Sequence, residues 1–221
     1  MVKRLKKTER MAPNDRKDAL IAATLKCLAT EGFDGLSTRK ISAEAGVAVG
    51  LINHHYASKE DLVAHAYEHL TLSHLEIVKA AVSAADTDAR SQLSAFLRAM
   101  LTPPVLDQGA LRAWVVFWGM MERRNALGEV FDRTYADYRR FLEDILGRLA
   151  VSSGIPLLDL NLTTIGLLAL LDGLWIVGCL DPDSCSSEDA IRLAEAWVDA
   201  LVQGRGRGVP PESYRVVNAR P

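Results

Sequence analysis

Cysteine is scarce in this chain, and its scarcity excludes two kinds of chemistry. The 221 residues include three cysteines, Cys27, Cys179 and Cys185, and no two of them form a CxxC pair. An odd number of scattered thiols builds neither a disulfide framework nor a cysteine-ligated zinc site. We therefore expect a protein of a reducing compartment, the cytoplasm.

Several motifs that mark secreted proteins and enzymes are also missing. No apolar run follows the basic segment MVKRLKKTER, so we do not expect a secretory signal. The chain lacks a Gly-rich phosphate loop, a nucleophile elbow and a zinc signature, and we expect neither an enzyme nor a cofactor. His65 and His69 lie at i, i+4 with His74 following, but Glu68 is the only close carboxylate, and we expect no metal site.

Alternating apolar residues typical of strands are absent, and no internal repeat is present. Apolar residues recur at helical spacing between breaks that contain Gly and Pro, which predicts an all-α fold. We predict helices near residues 14–31, 38–46, 49–55, 58–81, 88–101, 106–123, 126–151, 159–180 and 187–203.

One apolar stretch, IGLLALLDGLWIVGCL at residues 165–180, is long enough to raise the question of a membrane span. Asp172 lies in its middle, where a charge costs roughly 3 kcal/mol or more in lipid, and the flanking residues are acidic. We expect no membrane association. A helix buried in a soluble protein, or at a subunit contact, explains the stretch better.

Charge is unevenly distributed along the chain. Residues 1–62 contain 11 Lys or Arg and 8 Asp or Glu, a net charge of +3, whereas residues 63–221 contain 15 and 20, a net charge of −5. This asymmetry indicates that only the N-terminal end meets a polyanion. The basic first ten residues are either a solvated terminus or an arm that reaches along the backbone of that polyanion or into its minor groove.

Residues 36–62, LSTRKISAEAGVAVGLINHHYASKEDL, predict two short helices joined by a sharp turn. Gly46 can adopt the left-handed backbone of that turn, and Ile41 can pack on Leu51 or Ile52 across it. These features are typical of a helix-turn-helix. The third helix then exposes an edge of small and polar residues, made of Ala48, Val49, Gly50, Asn53 and His54.

This segment resembles the TetR family of bacterial repressors, whose pattern it matches at ten positions over 25 residues without a gap. The ten are Thr38, Ile41, Ala45, Gly46, Val47, Gly50, His55, Tyr56 (where the pattern has Phe), Lys59 and Leu62. Three positions depart from it. Ser42 replaces Ala, Ala48 replaces a serine whose hydroxyl can contact phosphate, and Asn53 replaces a tyrosine, which changes the base that is read.

The resemblance implies that His55, Tyr56 and Lys59 lie where such repressors touch the DNA backbone. Lys59 also begins the fourth helix, where free N–H groups and the helix dipole favour a phosphate. Alternatively, Tyr56 packs under the first helix and His55 is a solvated helix end. We expect the following DNA-binding residues: Thr38, Arg39, Ala48, Val49, Gly50, Asn53, His54, His55, Tyr56 and Lys59.

The segments ALRAWVVFWGMM and LLALLDGLWIVGCL resemble the BetI-type branch of the family, whose namesake represses choline-to-betaine genes. Aromatic pairs at helical spacing, together with one carboxylate, are the parts of a cage for a quaternary ammonium. The alternative is that these rings are core and that the effector is an uncharged hydrophobic metabolite or drug. We expect the following ligand-binding residues: Trp114, Phe117, Trp118, Tyr135, Tyr138, Asp172 and Trp175.

The last two long helices carry more apolar surface than one small domain needs, so we expect a homodimer through them. We predict an arm and helix-turn-helix domain at 1–62, a helical ligand-binding and dimerisation domain at 63–205 and a flexible tail at 206–221. The sequence favours a ligand-responsive repressor that binds a near-palindromic DNA operator. A DNA-binding accessory protein that senses nothing is a more distant alternative, because the body is acidic.

Overall fold

The computed structural model describes residues 13–121, 126–154, 159–181 and 183–203, with side chains from Arg16 onwards. These residues form nine α-helices and no strand, which confirms the predicted all-α fold. The helices are α1 (Pro13–Glu31), α2 (Thr38–Ala45), α3 (Val49–His55), α4 (Lys59–Ala84), α5 (Ala89–Met100), α6 (Gln108–Met120), α7 (Ala126–Ser152), α8 (Leu160–Leu180) and α9 (Ser187–Val202). The expectations for the basic arm and for the tail lie outside the described residues.

Serine side chains cap two of the helices near the N-terminus. The backbone N–H of Lys40 donates to Ser37 Oγ at 3.3 Å before α2, and the N–H of Asp61 donates to Ser58 Oγ at 3.0 Å before α4. Such caps satisfy N–H groups that have no partner within the helix. Ala48 holds the equivalent position before α3 and makes no side-chain cap bond.

The chain divides into two compact units. The first comprises residues 1–70 and 112–130, and the second comprises residues 71–111 and 131–221. The first unit contains α1, α2, α3 and the first half of α4, and its interior is built from apolar side chains with almost no exposure: Leu20, Leu28, Ile41, Ile52, Leu62 and Val63. The predicted boundary at residue 62 stays a prediction.

The second unit has its own apolar interior, to which α5, α7, α8 and α9 contribute side chains with almost no exposure, such as Leu93, Leu142, Leu171 and Val198. Helix α9 packs on both α5 and α8. The Arg90 guanidinium on α5 forms ion pairs with Glu195 and Asp199 on α9, the latter at 2.7 Å. Trp175 on α8 is buried, and its indole N–H donates to the Met100 carbonyl at 3.0 Å.

Helix α8 differs from the other described helices because it is long and apolar enough, by length and composition, to cross a membrane. Only 28% of its most apolar 18-residue window is buried in the single chain. One such helix is weak evidence for a membrane protein. A face of this kind also arises when a helix packs on a second copy of the chain.

Candidate nucleic-acid interface

The turn between α2 and α3 has the geometry of a helix-turn-helix. Gly46 follows α2 with φ 66° and ψ 30°, the left-handed backbone that glycine adopts without steric cost. Ile41 of α2 and Ile52 of α3 are 0% and 1% exposed, so each helix turns an apolar side chain into the interior. The exposed side of α3 is available to a ligand.

The exposed edge of α3 begins with small residues. Ala48, Val49 and Gly50 are all exposed, and a Cβ built on Gly50 would meet no atom within 4 Å. Asn53 and His54 are exposed one turn further along. A surface with small residues at its start allows the backbone to approach base edges closely, and the Asn53 amide can then hydrogen-bond to a base.

Helix α2 is held on α1 by two exposed ion pairs. Lys26 pairs with Glu44 at 2.5 Å, and Lys40 pairs with Glu31. Exposed pairs of this kind contribute little to stability because water and salt screen them, so their main effect is to orient the side chains. At the start of α2, Thr38 is half-buried and Arg39 is exposed.

The rings that follow Asn53 are close to one another. The centroids of His54 and His55 are 5.0 Å apart, and those of His55 and Tyr56 are 6.5 Å apart. Desolvation lowers the pKa of His55, and the neighbouring His54, Lys17 and Arg16 lower it further. A phosphate beside His55 would oppose this effect by favouring the imidazolium form.

Tyr56 ends α3 and is half-buried. Its hydroxyl oxygen lies 2.7 Å from Nδ1 of His65 on α4. Burial raises the pKa of Tyr56, and the nearby Asp18 carboxylate raises it further, so the phenol stays protonated at neutral pH. His65 was not among the expected DNA-binding residues, and no spacing rule in the sequence links it to Tyr56.

Lys59 is half-buried, and its ammonium group contacts the connection between α1 and α2. Nζ lies 4.0 Å from the centroid of the Phe33 ring and donates to the Leu36 carbonyl at 3.4 Å. A cation over an aromatic face contributes about 0.5–1 kcal/mol at an exposed site. The sequence did not indicate Phe33 or Leu36, because 26 and 23 residues separate them from Lys59.

The histidines do not assemble a metal site in the part of the chain that the structure describes. No group of three or more His, Cys, Asp or Glu side chains there could hold a metal ion. His65 hydrogen-bonds to Tyr56, and His69 is exposed. His74 is buried, and desolvation lowers its pKa to about 4, so it is neutral at physiological pH.

Three of the expected ligand-binding residues belong to the first compact unit, where they form an aromatic cluster with Tyr67. Tyr67 makes edge-to-face contacts with Trp114 and Phe117, with centroids 5.3 and 5.1 Å apart. Trp118 is half-buried, and its ring centroid lies 6.3 Å from that of Trp114. Trp114 and Phe117 are buried, as core residues are.

The other four, Tyr135, Tyr138, Asp172 and Trp175, belong to the second unit. Asp172 is half-buried in the middle of α8, and burial raises the pKa of its carboxyl to about 6. Burial and the Asp172 carboxylate also raise the pKa of Tyr135, which stacks on Phe131 with centroids 5.2 Å apart. Tyr138 and Trp175 are buried.

Two families of known proteins match this chain. Residues 20–66 match the bacterial regulatory proteins of the tetR family, and residues 89–203 match the C-terminal domain of BetI-type transcriptional repressors. The HTH-type transcriptional regulator BetI of Paraburkholderia phytofirmans is 24% identical over 190 residues, which cover 86% of this chain and 95% of that protein.

Solved structures have the same fold. A chain described as a transcriptional regulator of Pseudomonas aeruginosa PAO1 has 44% sequence identity and a TM-score of 0.83, and the match covers 90% of this chain and 95% of that one. A regulator from Saccharomonospora viridis in complex with choline has 17% identity and a TM-score of 0.72, with 84% and 96% covered. FadR from Bacillus subtilis in complex with stearoyl-CoA has 19% identity and a TM-score of 0.71, with 85% and 98% covered.

At identities below 20%, the last two structures establish a likeness of fold alone. The families that match the sequence are more specific, because together they cover the helix-turn-helix and most of the remaining helices. Both are families of transcriptional regulators, which is not a class of enzymes. The chain therefore belongs to the TetR family of DNA-binding bacterial regulators and has a C-terminal domain of the BetI repressor type.

Proposed function

We propose that this protein is a ligand-responsive transcriptional repressor that binds a near-palindromic operator as a homodimer and is released by a small effector. The observation that carries the proposal is the exposed edge of α3, presented by a left-handed turn at Gly46 on a helix whose opposite side is buried. Members of the family bind DNA and commonly act as dimers with small-molecule effectors. Each part of the proposal has its own structural support.

For DNA recognition, we assign base reading to α3 and backbone contact to its surroundings. Asn53 would read a base, most readily adenine, because its amide can both accept from N6 and donate to N7. Ala48, Val49 and Gly50 would bring the helix close to the base edges. Backbone contacts would come from Thr38, Arg39, His54, His55 and Lys59, whose charge or polarity suits phosphate.

For the dimer, we assign the contact to α8 and α9. Apolar side chains remain 38–75% exposed along α8, at Leu162, Ile165, Ile176, Val177 and Leu180, and Leu193 on α9 is 48% exposed. Leu162 and Ile165 are three residues apart, as are Val177 and Leu180, and Ile176 follows Ile165 by eleven residues, which is close to three full turns. These side chains therefore share one face of α8. Two such helices from each of two chains make a four-helix contact that removes these side chains from water.

A dimer also explains how one short recognition helix achieves specificity. Two copies of α3 would reach successive major grooves on one face of the DNA, about 34–36 Å apart, so the operator must repeat its half-site with opposite orientation. The test begins with selection of duplexes from a random-sequence library by the full-length protein. We expect inverted repeats, two chains per duplex by sedimentation equilibrium and an affinity that falls steeply with salt.

A monomer in sedimentation experiments at micromolar concentration would contradict the dimer. Selected sequences without an inverted repeat would contradict the operator, even if the protein proved to be dimeric. Binding of all duplexes with equal affinity would favour the alternative of an accessory DNA-binding protein that reads no sequence.

For the effector, we propose a small quaternary ammonium compound such as choline, bound in the second unit. Asp172 supports a cation, because among the described residues its half-buried carboxylate has no hydrogen-bond or ion-pair partner. A carboxylate left in this state costs free energy that a bound cation would recover. Tyr135 is close enough for Asp172 to raise its pKa, and it could supply a ring face.

The choline bound by the Saccharomonospora viridis regulator fits this proposal, whereas the stearoyl-CoA bound by FadR is an anion with a long apolar chain and shares only its hydrophobic part with the alternative effector. The contributions of Trp114, Phe117, Trp118, Tyr138 and Trp175 to binding stay predictions.

Any effector that releases the operator must bind the conformation that cannot bind DNA more tightly than the one that can. An effector with equal affinity for both conformations would not change their populations. Helix α4 is one continuous helix that enters both units, and we assign the transmission of the signal to it.

Calorimetry on the wild-type protein separates the two effector classes. Choline and 3,3-dimethylbutanol have nearly the same shape, and only choline is charged. We expect choline to bind at least about tenfold more tightly, since cation–π and counter-charge terms add about 1–2 kcal/mol. Equal affinity for the neutral compound would show that the site recognises only hydrophobic shape. It would contradict the proposed cationic effector and favour the uncharged one.

A further inference from the structure

We infer that Tyr56 and His65 form a side-chain link that positions the recognition helix α3 against α4, and that Tyr56 serves operator binding through this link instead of through the DNA backbone. The inference rests on the proposed function, because it concerns how the DNA-reading helix is held. It replaces the backbone contact that the family resemblance implies for Tyr56.

The position of Tyr56 makes it suited to this role. It is the residue at which α3 ends, and its backbone N–H donates to the Ile52 carbonyl at 2.9 Å while its own backbone is extended. His65 lies in the second turn of α4, nine residues further along the chain. The 2.7 Å contact between the Tyr56 hydroxyl and His65 Nδ1 therefore joins the end of one helix to the side of the next.

The chemistry of the pair assigns the direction of the hydrogen bond. A phenol kept protonated by burial is the better donor, and a neutral imidazole with its proton on Nε2 offers Nδ1 as the acceptor. The phenol has a single proton, and donation to Nδ1 uses it; the 2.7 Å separation is typical of an O–H donor. A phosphate oxygen could then receive no hydrogen bond from Tyr56 unless the link to His65 were broken.

The link also bears on the neighbouring residues of α3. The ring centroid of Tyr56 lies 5.6 Å from that of His65 and 6.5 Å from that of His55. His55 is among the proposed backbone contacts, and it directly precedes Tyr56 in the chain. A phenylalanine, as in the family pattern, would preserve the packing of the ring but could not bond to His65. The hydroxyl is therefore the atom to remove in a test.

A double-mutant cycle measures the link. Tyr56→Phe, His65→Leu and the double variant would be titrated with a duplex selected from a random library by the wild-type protein. We expect each single change to weaken binding by about three- to tenfold, the usual range for one hydrogen bond, and the double change to weaken it no further. His65→Asn should restore near wild-type affinity, because an Asn side-chain oxygen can replace Nδ1 as the acceptor.

Three measurements separate positioning from the other roles of these residues. Nitrogen-15 NMR of the DNA-free protein should report the Nε2–H tautomer of His65 with Nδ1 as an acceptor, and Tyr56→Phe should change the Nδ1 signal. His69→Leu removes an exposed histidine from the next turn of α4 and should leave operator affinity unchanged. Thermal unfolding of each variant identifies losses of affinity that come from global instability.

The possible results are distinguishable. Wild-type affinity in Tyr56→Phe would overturn the link, because the hydroxyl would then have no part in operator binding. Losses that multiply in the double variant would also overturn it, because Tyr56 and His65 would then act independently. Failure of His65→Asn to restore binding would also count against it. If the wild-type protein selects no duplex, the proposed function fails, while the NMR experiment still decides whether the Tyr56–His65 bond exists in solution.

Discussion

Helices α3 and α8 both leave part of their surface uncovered, but the uncovered residues differ in kind. On α3 they include Asn53 and His54, with small residues before them. On α8 they are branched apolar side chains such as Ile165 and Ile176, which are 42% and 38% exposed. A polar edge is stable in water in the absence of DNA. An apolar face of this length is typical of a surface that another protein chain or element covers.

The two helices also show that exposure has to be interpreted together with composition. The basic N-terminal part of the chain and the acidic remainder favour different partners, a polyanion for the former and a second copy or a small cation for the latter. A substitution on one of the two surfaces leaves the residues of the other unchanged, so the contribution of each surface can be measured separately.

The largest effect should follow from a charge placed on the uncovered face of α8. Ile165→Glu would bury a carboxylate in the proposed dimer contact, and loss of the dimer would leave one half-site per chain. We expect sedimentation of a monomer and a decrease in operator affinity of about 100-fold or more. Val151→Glu on α7 is the matched control, because Val151 is 84% exposed and lies on neither α8 nor α9. A dimeric Ile165→Glu would place the contact elsewhere.

On the α3 side, Asn53→Ala should relax sequence preference without abolishing DNA binding. Loss of the amide removes about 1–3 kcal/mol of discrimination at one base pair per half-site. Competition titrations with operators altered one base pair at a time measure this directly. If preference changed at no base pair, or at all of them equally, Asn53 would have no part in reading the sequence.

Asp172 lies on the otherwise apolar helix α8 and is the proposed counter-charge for the effector. Replacement of its carboxylate by a neutral amide should stabilise the ligand-free protein. Its pKa of about 6 when folded lies above the value of about 3.9 for an unfolded aspartate, so the folded state binds more protons between these values. The contribution of Asp172 to stability should therefore fall as pH rises from about 4 to about 6. Asp172→Asn should raise the free energy of unfolding by about 1–3 kcal/mol at pH 7.5 and by much less at pH 4.

Denaturant titrations at both pH values check the expected stabilisation, with Asp183→Asn as a control at an exposed position. The same Asp172→Asn protein should lose its preference for choline over 3,3-dimethylbutanol. Retention of that preference would show that the counter-charge for the cation is another group. Choline binding to the wild-type protein should also weaken below about pH 6, because the carboxyl becomes protonated.

Lys59→Ala should weaken binding to all DNA sequences alike, because a phosphate contact carries no base information. We expect the slope of log affinity against log salt to decrease by about 1. Phe33→Leu is the informative companion, since it removes the ring beneath Nζ and keeps the charge. An unchanged slope in Phe33→Leu and a reduced one in Lys59→Ala would support the phosphate contact. A change of sequence preference in Lys59→Ala would instead indicate that Lys59 takes part in reading the bases, the role proposed for Asn53.

The smallest effect concerns the missing cap of α3. Ala48 has φ −71° and ψ 142°, the backbone of an N-cap, yet its methyl group accepts no hydrogen bond. Ala48→Ser should stabilise the protein by about 0.5–2 kcal/mol, and Ser37→Ala before α2 should destabilise it by a similar amount. Chemical denaturation measures both. A serine that stabilised nothing would mean that its side chain is turned away from α3.

Local patterns predicted the helices well because their signals are short in range. Ser37, Gly46 and Ser58 each act within a few residues, and the observed helix ends lie within three residues of the predicted ones. The family pattern likewise lies within 25 residues of sequence. The partners of Tyr56 and Lys59 were not predictable in this way. His65 meets Tyr56 because α4 packs against the end of α3, and Phe33 meets Lys59 because the α1–α2 connection lies against the start of α4.

The sequence by itself determined the all-α fold, the helix-turn-helix and the family, since periodicity, capping residues and a gapless motif are local properties of the chain. Only the tertiary structure decided which side chains share an environment. It placed Trp114 and Phe117 among buried aromatic rings, and it left Asp172 half-buried without a partner among the described residues. Burial depends on contacts between residues that are far apart in sequence. These contacts raise the pKa of Asp172, and they leave one apolar face of α8 exposed in the single chain.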